Sequence, residues 1–235
     1  MSLSIGIGRE DGVEAGEFSP IFYKKSAMTL LSNDFFWLSN TPFEPSKFPG
    51  AGSFRICSAA RFTLNDGTAP RNFSFLNTHL DDKSDDQRRL AASLLLTRAR
   101  FEAVTTGNPV FITGDFNSPS FGDDSGAYDI ITGAADPVSI NTTFAEKFAV
   151  GNEAPDFRMV DLRGEAPREK VSRNYATFTG FTAPADTSSW TRIDFILGGN
   201  NTGWNVDGYK VVSALQDDGV LSSDHRPVFA DIVIS

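Results

Sequence analysis

The sequence predicts an α/β fold of stacked β-sheets with helices packed outside them. Three observations carry this reading. Short apolar runs bounded by turn residues recur along the 235-residue chain, as strands do. Phenylalanine is abundant, at 21 residues against 4 Tyr and 3 Trp, and it suits the pleated, half-buried surface of a sheet. One stretch alone reads as a long amphipathic helix, and many strands with few helices between them make stacked sheets with outer helices.

The elements follow in order. Residues 18–24 are aromatic-rich, with Pro20 marking an edge or a strand start. Residues 27–31 and 35–38 are two further short apolar runs, and residues 40–52, with three Pro and two Gly, form a loop. Residues 56–64 alternate and end at the turn signal Asn65-Asp66-Gly67, with residues 72–76 as the hairpin partner. Residues 84–101 are the helix. Ser84 and Gln87 have capping-box spacing, and Asp85 and Asp86 sit where the helix dipole favours anions. Leu90, Ala91, Leu94 and Leu95 form one buried stripe. Residues 109–113 are a continuous apolar run, as in a strand covered on both faces. A shorter helix is expected near residues 125–131, and residues 133–173 are polar and irregular. Strands are expected at 192–197, 209–214 and 228–234. No linker divides the chain, so residues 1–235 read as a single domain.

Composition excludes several classes. The single cysteine, Cys57, cannot form an internal disulfide or a Cys-rich zinc site. No apolar run approaches the ~18–20 residues that span a bilayer. No signal peptide is visible at the first residues, and localisation is left open. A net charge of −9 argues against a protein that coats nucleic acid, yet it leaves room for an enzyme with a small basic site. The two histidines, His79 and His225, are the only candidates for imidazole chemistry.

Both fall within four polar clusters on or beside strands. Leu76-Asn77-Thr78-His79-Leu80 ends an apolar strand and, taken alone, is as readily a strand cap. In Thr113-Gly114-Asp115-Phe116-Asn117, Asp115 and Asn117 are two apart. Extended backbone would aim them the same way, although Gly-Asp-x-Asn is also a common turn composition. Asp194 stands mid-strand in Arg192-Ile193-Asp194-Phe195-Ile196. A carboxylate there needs partners, and Arg192 is taken as a poor one. Ser223-Asp224-His225-Arg226-Pro227 precedes the last strand and is otherwise a polar turn. Together these groups suit metal-assisted attack of water on phosphorus. A carboxylate raises the basicity of an imidazole, and Asp and Asn can hold a divalent cation and a phosphate oxygen.

The ordered motifs Asn-Thr-His-Leu (77–80), Gly-Asp-Phe-Asn (114–117), Arg-Ile-Asp-Phe-Ile (192–196) and Ser-Asp-His-Arg-Pro (223–227) resemble the endonuclease/exonuclease/phosphatase superfamily. That superfamily includes deoxyribonuclease I, abasic-site endonucleases, inositol-polyphosphate phosphatases and neutral sphingomyelinases. Gly8-Arg9-Glu10-Asp11-Gly12 and the stretch 14–23 are similar to a microbial subgroup of phosphohydrolases. The resemblance implies a two-sheet α/β sandwich with helices on both outer faces, and phosphoester hydrolysis with Mg²⁺ or Mn²⁺. It implies that His225 is the base or water-orienting imidazole, with Asp194 as its carboxylate partner. Asp115 would handle a proton or orient the nucleophile near the metal, and Asn117 would hold a phosphate oxygen. His79 would donate to the phosphate, and Asp224 would lie at the metal. Arg55 would contact phosphate or form a surface salt bridge.

Two departures accompany the resemblance. Family members begin with a strand carrying an Asn, then one ending in a Gln-Glu pair whose Glu is the main metal ligand. Neither is present, so the resemblance implies an N-terminally incomplete fold lacking roughly 40–60 residues, about a quarter of a usual domain. Such a fold would expose sheet edges that a second copy could cover. Thr179 stands where the subgroup usually has His. Three functional readings therefore remain. One is a phosphatase or phosphodiesterase on a small or lipid-linked substrate, favoured over a duplex-DNA nuclease by the acidity. Another is a catalytically inactive member with a binding role or none. The last is a β-sandwich binding module with coincidental polar turns.

Overall fold

The computed structural model describes residues 2–67, 69–182 and 185–235. At its centre is a six-stranded mixed sheet in the order β3-β4-β5-β6-β8-β7. β3 (Met28–Trp37), β4 (Ile56–Leu64) and β5 (Arg71–His79) form an antiparallel meander. β5 then pairs in parallel with β6 (Val110–Asp115). A parallel neighbour requires a crossover, and α1 (Asp85–Thr106) supplies it. β8 (Asp194–Gly199) returns antiparallel to β6, and β7 (Met159–Asp161) forms the far edge.

The two faces of this sheet are covered differently. On one face Leu76, Ile112 and Phe195 pack against α1, α2 (Gly126–Thr132) and α3 (Thr142–Lys147) through Leu94, Ile130 and Phe144. On the other, Phe62, Phe73 and Phe111 meet two separate antiparallel ribbons. One ribbon is β1 (Ser2–Ile5) with β2 (Ile21–Lys24); the other is β9 (Trp204–Val211) with β10 (Val228–Ile234). Leu162 of α4 (Leu162–Glu165) and Ala166 pack against Val206, Tyr209 and Val211 of β9. The expected sandwich with helices outside is present, its second layer built from two ribbons. Between the ribbons lie adjoining clefts of about 300 and 380 Å³, both floored by Phe75 and Thr113, and the second reaches Gly114 and Asp194.

Several elements differ from the sequence expectation for identifiable reasons. β3 is one strand where two runs were expected, because a bulge at Leu31 interrupts its register. Its polar middle, Ser32-Asn33-Asp34, is tolerated on an edge strand. α1 runs beyond residue 101 and ends at Gly107, whose left-handed backbone (φ 69°) returns an N–H to the Ala103 carbonyl. Ser84 caps α1 through the Gln87 N–H at 3.2 Å. The Gln87 side chain does not reach back; it is buried, donating to the Leu38 carbonyl and accepting from the Asp81 N–H. β9 lies at 204–211 rather than 209–214. Its outward Asn205 and Asp207 are residues that strands usually avoid. β1 was not expected at all.

Candidate active site

Strand register assembles the site. His79 of β5 is the register partner of Asp115 of β6, and Asp115 is the partner of Asp194 of β8. Adjacent strands stand ~4.8 Å apart, so three polar side chains form a row at one end of the sheet, on the face that carries the ribbons. His79 Nε2 lies 3.4 Å from Asp115 Oδ2. The loop before β10 places His225 over the row. Its Nδ1 lies 2.8 Å from Asp194 Oδ2, and its Nε2 lies 3.6 Å from Asp115 Oδ2. All four sequence clusters thus meet at one point. Arg192 precedes β8, so strand alternation does not carry it to the face of Asp194; it turns away and pairs with Asp161.

Gly114 and Asn117 shape the turn after β6. Gly114 has φ +149°, and a Cβ there would stand 2.0 Å from the Thr78 carbonyl oxygen on β5. Gly114→Ala is therefore expected to destabilise the fold by at least ~1–3 kcal/mol, as overpacking against fixed backbone does. A urea denaturation midpoint unchanged from wild type would rule this out. Asn117 is not extended, contrary to the i, i+2 reading: its φ is +46°, in the left-handed region. Asn tolerates that conformation, and its N–H donates to Asp115 Oδ1 at 2.8 Å. The turn still brings Asn117 to the site. Its Nδ2 donates to the Leu80 carbonyl at 3.0 Å and lies 3.2 Å from His79 Nε2.

The titratable groups are pushed apart. Burial, then the charge of Arg55, moves His79 down to about 4, so its imidazole is neutral near pH 7. With Nε2 accepting from Asn117, the network assigns the His79 proton to Nδ1. Burial and the Asp194 carboxylate push Asp115 up to about 6. The hydrogen bond to Asp194 raises His225, with Asp115 and Asp224 adding to the effect. Such opposed shifts in neighbouring groups mark a candidate site for proton transfer.

Arg55 and Asp224 both act electrostatically on the site. Arg55 is buried, with Nη2 2.9 Å from Asp82 and Nε 3.4 Å from Asp81, so it is no surface salt bridge. Its charge acts on both His79 and Asp115. The Asp224 carboxylate is 3.5 Å from Ser223 Oγ, and its backbone carbonyl accepts the Thr179 N–H. Among the described residues, Asp115, Asp194 and His225 form a group of three side chains that can share one ion. Sequence reasoning did not place Glu17 or Arg9 here. Glu17 Oε2 lies 2.5 Å from Arg9 Nη1 and 3.9 Å from His79 Nδ1. The loop that carries them is fixed by Trp37 Nε1, which donates to the Arg9 carbonyl at 2.6 Å. Its sequence signals are the density of Gly and acidic residues between positions 6 and 17 and the subgroup resemblance of residues 8–12 and 14–23, neither of which says where Arg9 and Glu17 point.

The comparisons with known proteins agree with this arrangement. The model of the endonuclease/exonuclease/phosphatase family matches residues 12–225. No curated protein matches. Among solved structures, an endonuclease/exonuclease/phosphatase from Bacteroides vulgatus is 28% identical, with a TM-score of 0.77. That alignment covers 100% of this chain and 77% of the other. A mannosyl-6-phosphatase from Bacteroides thetaiotaomicron is 26% identical with a TM-score of 0.73, covering 99% and 77%. The catalytic domain of human nocturnin, solved with sulfate, has a TM-score of 0.62 at 11% identity, covering 100% and 73%, and speaks for the fold alone.

Proposed function

Because the chain belongs to the endonuclease/exonuclease/phosphatase family, whose members hydrolyse phosphoesters, we propose that it is a phosphoester hydrolase dependent on a divalent cation. The observation that carries this reading is the His225–Asp194 pair, 2.8 Å apart and facing Asp115 across the register row. Asp194 holds the His225 proton on Nδ1, which leaves Nε2 to orient and deprotonate an attacking water. Asp115 lies 3.6 Å from Nε2, where its carboxylate helps to orient that water. His79 donates from Nδ1 to a phosphate oxygen, and Asn117 fixes the His79 ring from the Nε2 side. Arg55 adds positive charge to the site.

The donor set suits Mg²⁺ or Mn²⁺. Two carboxylates, Asp115 and Asp194, are close enough that one raises the pKa of the other, which is a site short of positive charge. Mg²⁺ is usually held by one or two carboxylates together with waters and substrate phosphate. Asp115 and Asp194 would hold it, with Asp224 adding negative charge nearby. The ion would polarise a phosphoryl oxygen and neutralise charge that develops there.

A small phosphomonoester is the favoured substrate. The net charge of −9 disfavours a duplex-DNA nuclease, and the mannosyl-6-phosphatase at 26% identity supports a phosphatase. The test is hydrolysis of an aryl phosphomonoester and an aryl phosphodiester with Mg²⁺, Mn²⁺ or EDTA. Turnover that needs the metal, with the monoester preferred, is expected. No turnover above that of His225→Ala would overturn the proposal and favour the inactive reading.

A further inference from the structure

The two halves of the His225–Asp194 pair lie 31 residues apart in sequence, and one short segment stitches them together. Residues 177–179 run between the start of β8 and the loop that carries His225. The Thr177 side chain is fully buried, and its Oγ1 accepts two backbone N–H groups, from Ile193 and from Asp194, each at 3.0 Å. The backbone of the same residue works in the opposite direction. Its carbonyl accepts the Arg226 N–H at 2.6 Å, while its own N–H donates to the Thr191 carbonyl at 2.9 Å. Phe178 and Thr179 repeat the pattern. Phe178 exchanges backbone hydrogen bonds with Thr191 and bridges to His225, and the Thr179 N–H donates to the Asp224 carbonyl. The Phe178 ring then meets the imidazole edge-on, with centroids 5.1 Å apart at 64°.

We propose that Thr177 and Phe178 are positioning residues that set the distance and angle between Asp194 and His225. Thr177 fixes the backbone from which the carboxylate projects, and Phe178 fixes the plane of the imidazole. Neither residue reaches the groups assigned to phosphate, His79 and Asn117. The inference rests on the hydrolase reading for its consequence in turnover, but not for its geometry. Buried N–H groups that lose their acceptor shift to find another. A shift on the order of 1 Å in a reacting group can lower a rate ~10²-fold.

The test compares Thr177→Val, which removes the acceptor at constant shape, with Thr177→Ser, which keeps it, and with Phe178→Leu. Two quantities are read. One is the downfield ¹H resonance of the His225 Nδ1 proton in the metal-free protein, assignable because the chain has two histidines. The other is the separate change in kcat and KM. Thr177→Val is expected to move or broaden the resonance and to lower kcat ~10–100-fold with KM within about twofold. Thr177→Ser should restore both, and Phe178→Leu should show the resonance change without removing a hydrogen bond. A folded Thr177→Val protein with the wild-type resonance and kcat would overturn the proposal. If Thr177→Val does not fold, an unmoved resonance in Phe178→Leu would do so. If wild type shows no turnover, the hydrolase reading fails, and the resonance comparison still decides the positioning role.

Discussion

Replacing His225 with alanine is expected to lower kcat/KM by ~10²–10⁴-fold, the span that a positioned acid–base group supplies. The residue is the natural place for the largest loss. Its Nδ1 is engaged by Asp194, and its Nε2 is the one imidazole nitrogen of the pair that faces the reacting region, 3.6 Å from Asp115. It is also separable from the fold. His225 lies in a loop before β10 and remains partly exposed, so its removal leaves the three core clusters intact. The loss should appear equally in kcat and kcat/KM, because the base acts in the transition state and not in binding. Circular dichroism and the thermal midpoint should match wild type. A folded His225→Ala protein that keeps turnover within tenfold of wild type would remove the imidazole from the chemistry and leave Asp115 as the candidate base.

The largest expected loss of stability comes from Arg192. Its guanidinium makes a two-pronged contact with Asp161 at 2.6 and 2.7 Å, reaches the Tyr209 hydroxyl at 3.2 Å and lies 4.5 Å from the centre of the Phe195 ring. The Arg192 side chain is 4% exposed and that of Asp161 14%. Asp161 also accepts from the Tyr128 hydroxyl and caps α4 through the Arg163 N–H. One ion pair therefore joins the β7–α4 corner, the entry to β8 and β9. Arg192→Met is expected to cost about 3–5 kcal/mol, because it leaves a carboxylate buried without its counter-charge. Pairing it with Asp161→Leu should recover most of the loss, since an apolar pair of similar volume is often neutral in such a place. Urea denaturation of the two single variants and the double variant measures both values. A single-variant loss below about 1 kcal/mol would show that the pair behaves as a surface contact.

Much of the site was legible in the sequence because its residues follow apolar strands with little intervening chain. His79, Asp115 and Asp194 each sit at a strand end, and His225 immediately precedes the last strand. The helix α1 was legible because its cap, its buried stripe and its terminating Gly107 all agree. What was hidden depended on tertiary partners. β1 is four residues long and exists only because β2 pairs with it. β9 alternates correctly, yet its outward Asn205 and Asp207 read as loop. Arg55 shows no sign in the sequence of being buried, since its partners Asp81 and Asp82 lie in the turn before α1. At Asn117 the sequence left extended backbone and a turn equally open, and the positive φ of the turn was settled only by the structure. The position of Glu17 was hidden although its stretch resembled a family subgroup, because a surface loop with few apolar residues has no periodicity to betray where it points.

The register row has a consequence for how such a protein can change. The ruler between His79, Asp115 and Asp194 is the spacing of hydrogen-bonded strands, which is the same in every sheet. Loops can lengthen, shorten or exchange around the row without altering that ruler. The loop that carries Arg9 and Glu17, the loop after Asn117 and the segment before β10 can therefore be remodelled for new substrates while the reactive spacing is inherited unaltered. A slip of one residue in β6 would do the reverse, turning Asp115 to the helix face and Phe111, Thr113 and Ile112 to the wrong sides at once. Chemistry and core are thus proofread by the same pairing, and a chain that has misaligned its sheet has no half-functional state to occupy.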